Sequence, residues 1–132
     1  MVTTAERFGK QSDREENKKG KMDFNEYQKF ASRTAVWEGK QKEFPLAYVA
    51  LGLAGESGEL IEKIKKVIRN ENGDMSEEKR QAIKLEIGDV LWYLSQISRL
   101  CDIPFQEAAE GNIKKLADRQ ARGVIKGEGD TR

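Results

Sequence analysis

The chain has 132 residues, 37% of them hydrophobic, which is enough for one globular domain with a modest core and too short for two ordinary ones. Its 24 basic and 23 acidic side chains leave a net charge of +1, which argues against a protein that binds nucleic acid or coats another polyanion. The sequence contains no histidine, so Ser-His-Asp and Cys-His catalysis, the common zinc sites and Glu-x-x-His di-iron bundles are excluded together. Any metal site must be built from carboxylates, and oxygen ligands favour Mg²⁺ or Mn²⁺.

The N-terminal segment and the single cysteine indicate the cellular setting. Residues 1–22 hold ten charged side chains and few apolar ones, so we expect a disordered tail there and one domain over residues 23–132. This segment lacks the apolar core of a signal peptide, and Cys101 has no partner for an internal disulfide. No stretch approaches the roughly 18 apolar residues of a membrane span. We therefore expect a cytoplasmic protein without a membrane partner.

Two helices are predicted in the first half of the domain. Asp23 and Glu26 form a capping-box pattern, and apolar residues then recur at helical spacing, which predicts a first helix over roughly residues 24–37. Pro45 fits the first turn of a second helix, whose apolar residues form one stripe as far as about Arg69. The second helix is thus expected to be long and amphipathic.

Two more helices are predicted in the second half. Ser76 is the expected N-cap of a third helix, whose apolar stripe runs from Ile83 to Ile97. Pro104 opens a fourth helix that continues to about Ala121 and is followed by a glycine-rich tail. No segment alternates at period two, so the predicted fold class is all-α, a four-helix bundle.

Carboxylates beside two of the apolar stripes form the main chemical signal. Acidic pairs three residues apart occur eight times in this chain, so their spacing by itself indicates only a solvated helix face. Leu53 lies in the apolar stripe of the second helix. At a rotation of about 100° per residue, however, Glu56 and Glu59 lie about 60° and 120° to one side of Leu53, on one flank of that stripe. Glu86 and Asp89 fall at the same angles on the third helix. Antiparallel packing would bring the four carboxylates together, and such a group is costly unless it binds cations.

Both acid pairs belong to one repeated sequence frame. The segment LAGESGELIEKI at residues 53–64 aligns without a gap on IKLEIGDVLWYL at residues 83–94. The acids at Glu107 and Glu110 instead lie opposite the stripe of the fourth helix, so we expect them to face water. The repeated frame, and not the acid spacing, therefore predicts a metal site.

Four glycines lie within the second and third helices, although each mid-helix glycine costs about 1 kcal/mol relative to alanine. Close approach of the helices is the expected compensation. Relief of crowding at a helix crossing is an alternative for two of them, Gly58 and Gly88. The four positions are Gly52, Gly55, Gly58 and Gly88.

Basic residues beside the acids predict a phosphate site. Lys63 and Lys66 share the flank of Glu56 and Glu59, and a Mg²⁺-phosphate complex needs both metal ligands and donors to the phosphate oxygens. An ordinary Glu59–Lys63 pair worth about 0.3 kcal/mol is the alternative for Lys63.

The fourth helix carries a second set of candidate anion-binding residues. Asn112 lies within the apolar stripe, with Lys115 and Arg119 at similar angles, and a polar side chain there needs partners. A bound anion would supply them, although a satisfied core amide is the alternative. The aromatic candidates for stacking on a base, each of a type that more often belongs to the core, are Trp37, Trp92 and Tyr93.

These motifs resemble the MazG-like all-α nucleoside triphosphate pyrophosphohydrolases. The resemblance rests on GESGE at residues 55–59 followed by EIGDVLWY at residues 86–93. NIKKLADR at residues 112–119 and the ending RGVIKGEGDTR at residues 122–132 are similar to a bacterial and phage branch of that family. The resemblance covers residues 24–132.

The resemblance implies cleavage of the α–β phosphoanhydride of a (deoxy)nucleoside triphosphate to the monophosphate and pyrophosphate, with Mg²⁺ as cofactor and Mn²⁺ as a substitute. Such an activity serves house-cleaning of the nucleotide pool. The resemblance also implies a homodimer or homotetramer whose grooves use neighbouring subunits. The metal ligands carried over are Glu56, Glu59, Glu86 and Asp89, with Glu56 or Glu59 as the general base instead. The expected substrate contacts are Lys63, Lys66, Tyr93, Asn112, Lys115, Arg119, Trp37 and Arg132.

Two other functions remain open at this stage. A phosphoribosyl-ATP pyrophosphohydrolase would share the fold and the acid frame, and the C-terminal RGVIKGEGDTR argues modestly against it. A non-catalytic helical interaction or regulatory module is disfavoured by the intact four-acid frame.

Overall fold

A computed structural model describes residues 20–35 and 44–126, and all regular secondary structure in these residues is helical. The fold class is therefore all-α, as predicted. The predicted N-terminal and C-terminal tails lie outside the described residues, apart from residues 20–22 and 123–126. None of the described helices is long and apolar enough to cross a membrane. The helices are α1 (Phe24–Ala31), α2 (Pro45–Glu71), α3 (Glu77–Leu100) and α4 (Phe105–Ala121).

The start of α1 is fixed by the predicted capping box. Asp23 Oδ1 accepts a hydrogen bond from the backbone N–H of Glu26 at 2.8 Å, and the backbone N–H of Asp23 donates to Glu26 Oε2 at 3.3 Å. These two bonds satisfy N–H groups that have no partner within the helix. The capping-box prediction is confirmed.

α1 ends at Ala31 and not near residue 37 as predicted, because contacts with α3 fix the chain at this point. After Ala31 the chain passes into a 3₁₀ turn, Ser32–Thr34. There the indole Nε1 of Trp92 donates to the backbone oxygen of Ala31 at 3.1 Å and to Thr34 Oγ1 at 2.8 Å. Trp92 therefore joins α3 to the end of α1, which gives this residue a structural role.

A tight turn sets α2 and α3 side by side in opposite directions. α2 ends at Glu71, its C-cap Asn72 has φ 56°, and Gly73 follows with φ 87°. Asparagine and glycine are the residues that enter this left-handed region most readily. Ser76 then caps α3, its hydroxyl accepting from the backbone N–H of Lys79 at 3.3 Å. The two copies of the acid frame consequently run antiparallel.

The small core lies where α2 and α3 pack with Ala35, which follows the 3₁₀ turn after α1. Gln28 crosses from α1, and its Nε2 donates to the backbone oxygens of Ser95 and Ile103 at 3.2 Å each. α4 joins at its N-terminal end, where the rings of Phe105 and Phe24 pack edge to face with centroids 5.2 Å apart. The core cluster consists of buried Ala35 and Val49 with Trp92, Tyr93, Ile97 and Leu100 packed against them.

Close approach of α2 and α3 explains one of the four mid-helix glycines. A Cβ atom at Gly52 would overlap the ring of Tyr93, so the prediction is confirmed there. Among the described residues, Cβ atoms at Gly55, Gly58 and Gly88 would meet nothing within 4 Å. Close helix contact within this chain does not explain these three, and the prediction is wrong for them.

One side of the α2–α3 hairpin is apolar and uncovered. Its side chains lie about 20° to 80° from Leu53 or Ile83, in the direction opposite to the acid pairs. Their exposed fractions run from 40% to 66%. Such a continuous apolar surface is uncommon on a chain that functions alone. We call it the apolar flank, and it consists of Leu46, Ile61, Ile64 and Ile68 of α2 with Ile87 and Leu94 of α3.

Candidate metal centre

Three of the four predicted carboxylates lie together on the other side of the hairpin. Glu56 of α2 and Glu86 and Asp89 of α3 each offer a carboxylate oxygen, and these oxygens lie within 4.8 Å of one another. The acids occupy the same angles relative to the apolar stripe in both helices. Because the two helices run antiparallel, these equal angles place the acids of α2 and of α3 on the same side of the hairpin. We call these three residues the acid group and this side of the hairpin the acid flank.

Glu59, the fourth predicted carboxylate, borders the acid group without belonging to it. It is exposed, and the acid group among the described residues does not include it. Its charge nevertheless helps to raise the pKa of Glu56. Its proposed role as ligand or base therefore requires a change of side-chain position from the one in this structure.

Mutual repulsion marks the electrostatics of the acid group. Partial burial raises the pKa of Glu56 above its ordinary value, and the charges of Asp89, Glu59 and Glu86 raise it further, in that order. Each carboxylate disfavours ionisation of the next because like charges lie close together. A bound cation would remove this repulsion.

Lys63 brings one positive charge from α2 to the acid group. Its Nζ lies 3.4 Å from Glu86 Oε1. The Glu86 side chain is 11% exposed whereas that of Lys63 is 43% exposed, so a solvated ammonium group meets a nearly buried carboxylate. The local Glu59–Lys63 pair considered from the sequence is thus replaced by a pair that joins the two helices.

Tyrosines border the acid group from two directions. Burial raises the pKa of Tyr93, and neighbouring Tyr48, Glu56 and Asp89 raise it further. Burial also raises the pKa of Tyr27 on α1, with a contribution from Asp89. Sequence reasoning placed Tyr93 at the site but missed Tyr27 and Tyr48. Tyr27 occupies the apolar stripe of α1, and that pattern indicates a core residue.

The donor set of the acid group fits a hard divalent cation. Mg²⁺ binds oxygen ligands at about 2.0–2.1 Å, so two ligands on opposite sides of the ion lie about 4.2 Å apart. Oxygens within 4.8 Å of one another need only small side-chain rotations to reach that spacing. All three donors are oxygens, which favours Mg²⁺ or Mn²⁺ over softer metals.

The residues predicted on α4 differ in their exposure to solvent. Asn112 and Lys115 are exposed, so the expectation that Asn112 lies on a buried face is wrong for the single chain. The physical reason is that the stripe of α4 is largely uncovered, since Ile113 and Leu116 are themselves exposed. Arg119 is buried, with 5% of its surface exposed.

Three predicted substrate contacts remain, and one of them is among the described residues. Lys66 pairs with Glu62 on its own helix, with Nζ 3.6 Å from Glu62 Oε1. Trp37 and Arg132 lie outside the described residues.

A cavity of about 380 Å³ lies beside the N-terminal end of α1. Its wall includes Leu91, which lies about 200° around α3 from Asp89 and thus on nearly the opposite side of that helix. None of the residues that line the cavity belongs to the acid group, although Tyr27 lines it and the charge of Asp89 helps to raise the pKa of Tyr27. It is lined by Lys21, Met22, Asp23, Phe24, Tyr27, Leu91 and Gln106.

Comparison with known proteins gives a separate line of evidence. The MazG nucleotide pyrophosphohydrolase domain matches residues 45–124, a range that includes α2, α3 and α4. The gene 37 protein of Mycobacterium phage L5 is 39% identical over 109 residues, which are 80% of this chain and 96% of the phage protein. No solved structure matches significantly. The matched range contains the whole acid group, and the chain belongs to the MazG nucleotide pyrophosphohydrolase family.

Proposed function

We propose that this chain hydrolyses the α–β phosphoanhydride of (deoxy)nucleoside triphosphates, releasing the monophosphate and pyrophosphate, in house-cleaning of the nucleotide pool. Family membership supports a nucleotide pyrophosphohydrolase in general terms. The single observation that carries the proposal further is the meeting of Glu56, Glu86 and Asp89, which come from both copies of the frame.

The acid group would hold the metal cofactor, Mg²⁺ with Mn²⁺ as a substitute. When bound, the cation supplies charge neutralisation for the triphosphate and polarises water for attack. Glu86 and Asp89 serve as ligands on α3, and Glu56 completes the set from α2. The chain itself contributes their fixed spacing, because Gly52 keeps the two helices close at Tyr93.

A carboxylate must also accept the proton of the attacking water. Water adds in line to the phosphoanhydride as the α–β bridge breaks, and its proton passes to the carboxylate. Glu56 is one candidate for this role, in which case it is not a metal ligand and Glu86 and Asp89 hold the cation from α3. Glu59 is the alternative, being close enough to influence Glu56.

Basic side chains would neutralise the phosphates. Lys63 and Lys66 lie on α2 beside the acid flank, and Lys115 and Arg119 are the candidates on α4 together with Asn112. Tyr93 is the aromatic candidate within the described residues for contact with the nucleoside.

We also propose a homodimer, or a homotetramer built from it, in which a second copy covers the apolar flank. The flank carries six exposed apolar residues, and the exposed Arg80 lies at a similar angle near the start of α3. Because α2 and α3 repeat one frame in opposite directions, the flank has approximate internal two-fold symmetry. A self-complementary patch of this kind suits an isologous contact, and two hairpins would then complete a four-helix core.

The test of the proposed activity is product analysis. The full chain is incubated with Mg²⁺ and a panel of standard and modified nucleoside triphosphates plus phosphoribosyl-ATP, and products are separated by ion-exchange chromatography. We expect monophosphate and pyrophosphate in equal amounts, and none in EDTA. Release of diphosphate and orthophosphate would contradict the proposal. Turnover of phosphoribosyl-ATP alone would identify the histidine-synthesis activity, and no turnover of any compound would identify a non-catalytic module.

A further inference from the structure

The ion pair between Lys63 and Glu86 occupies the place where a cation is expected to bind. Lys63 Nζ lies 3.4 Å from Glu86 Oε1. Glu86 is at the same time a member of the acid group, whose oxygens lie within 4.8 Å of one another. One carboxylate is thus shared between a lysine of α2 and the proposed metal position.

The neighbouring lysines of α2 behave differently. Lys65 and Lys66 both pair with Glu62 on their own helix, at the ordinary three- and four-residue spacings. These local pairs lie outside the acid group and exemplify solvated helix surface, which contributes little. Lys63 is distinguished by a partner on the other helix whose side chain is only 11% exposed.

A nearly buried carboxylate among other carboxylates needs a positive charge nearby. Without one, Glu86 would face the repulsion that already raises the pKa of Glu56. Lys63 supplies that charge in the chain as it stands. A divalent cation would bring two positive charges to the same carboxylate oxygens, so Glu86 would no longer need the ammonium group of Lys63 as its counter-ion.

We propose that Lys63 is an exchangeable counter-ion, which holds Glu86 while the acid group lacks a divalent cation and turns to the anionic ligand when the cation binds. This inference rests on the proposed function, since it takes the acid group as the metal position. The Lys63 side chain is 43% exposed and flexible, so its ammonium group has room to leave Glu86. Once released, it lies beside the metal position, where the phosphates of a nucleotide would be held.

Exchange has two opposite consequences that a purely structural pair would lack. Because the ammonium group and the cation compete for Glu86, removing Lys63 strengthens binding of the cation by about two- to five-fold, the range expected for a partly exposed pair. Because the released ammonium group serves the anion, the same change weakens binding of pyrophosphate to the metal-loaded protein, by on the order of ten-fold.

The test is isothermal titration calorimetry on the full chain, stripped of metal, for wild type, Lys63→Met and Lys65→Met. MnCl₂ alone is titrated first, and pyrophosphate is titrated next at saturating Mn²⁺. We expect Lys63→Met to bind Mn²⁺ more tightly and pyrophosphate more weakly than wild type, whereas Lys65→Met matches wild type in both titrations. Weaker or unchanged Mn²⁺ binding by a folded Lys63→Met would overturn the proposal.

A second variant pair separates exchange from misfolding and from failure of the proposed activity. The Glu86→Gln variant binds Mn²⁺ more weakly because it has lost a ligand, and adding Lys63→Met to it is expected to cause no further change in affinity, because the competition needs Glu86; an increase over Glu86→Gln alone would contradict exchange. Neither titration requires hydrolysis. If no nucleotide is turned over but the opposite shifts are seen, the proposed activity fails and the exchange stands. If wild type binds no Mn²⁺, both fail.

Discussion

The two flanks of the α2–α3 hairpin are made by the same two helices and the same repeated frame, yet they differ in what they lack. The acid flank brings together Glu56, Glu86 and Asp89, whose carboxylate oxygens lie within 4.8 Å of one another. The apolar flank presents Leu46, Ile61, Ile64, Ile68, Ile87 and Leu94 to solvent. The acid flank carries an excess of negative charge, whereas the apolar flank exposes side chains that the described residues do not cover. The comparison shows that one repeated amphipathic frame produces both a group of carboxylates and an exposed apolar surface.

The largest expected effect is on the acid flank. Asp89→Asn and Glu86→Gln each remove a charged ligand while preserving shape, so pyrophosphate release should fall by on the order of 10²- to 10³-fold. Steady-state kinetics at saturating Mg²⁺ measures the loss, with circular dichroism as the check on folding. The matched control is Glu107→Gln, an exposed acid of the same spacing on α4, which should keep wild-type rates. Equal loss in all three variants would remove the distinction between the acid group and ordinary surface acids.

The next effect concerns the apolar flank. Ile64→Glu places a charge where a second copy is expected, and burying an unpaired charge costs several kcal/mol, so self-association should weaken by at least about 10²-fold. Sedimentation velocity over a range of concentrations measures this change. Leu85→Glu is the control, because Leu85 is 70% exposed but lies about 200° around α3 from Ile83, off the flank. Dissociation by Leu85→Glu and not by Ile64→Glu would place the contact elsewhere.

A smaller effect tests how closely the hairpin is packed at the acid flank. Gly52→Ala forces a methyl group into the ring of Tyr93, so the free energy of unfolding should fall by about 1–3 kcal/mol. Gly55→Ala meets open space within the described residues and should stabilise by up to about 1 kcal/mol through helix propensity. Urea denaturation measures both. Destabilisation by Gly55→Ala would mean that another chain or ligand approaches α2 at that glycine.

The smallest effect is the pH dependence of the metal-free protein. Because the pKa of Glu56 is raised in the fold, the folded state holds more protons than the unfolded state between the ordinary value of 4.5 and the raised value. Stability contributed by this group is therefore lost as pH rises through that window. Glu56→Gln should raise the melting temperature by about 1–3 °C at neutral pH and leave it unchanged below pH 4.5. A variant that is less stable than wild type at neutral pH would show that Glu56 is favourably paired.

Sequence patterns were sufficient for the number of helices in the described residues, for most of their ends and for most of the acid flank. Asp23 and Ser76 cap where predicted, and α2 ends at Glu71, close to the predicted Arg69, because local capping and periodicity decide these features. The end of α1 at Ala31 was not predicted, because contacts with α3 decide it. The meeting of Glu56 with Glu86 and Asp89 followed from angular position in an antiparallel pair. Angular position could not separate Glu56 from Glu59, since it gives the side of a helix but not the reach of each side chain.

Other features depend on contacts that a sequence pattern does not contain. The position of Tyr27 near Asp89 depends on how α1 lies across α3, and a stripe residue gives no sign of that. The expectation for Asn112 was wrong because periodicity predicts an apolar face of α4 without showing whether the same chain covers it. Gly55, Gly58 and Gly88 have no explanation in the packing of the described residues.

The central claim, that the acid group is a divalent-cation site, is tested most directly by electron paramagnetic resonance of Mn²⁺ added to the metal-free full chain. The signal of free Mn²⁺ decreases when the ion is bound. The account predicts binding by wild type and by Glu107→Gln and at least a ten-fold loss of affinity in Asp89→Asn, by analogy with the losses seen when metal sites are altered. Mn²⁺ binding of equal affinity in Asp89→Asn and wild type would contradict it.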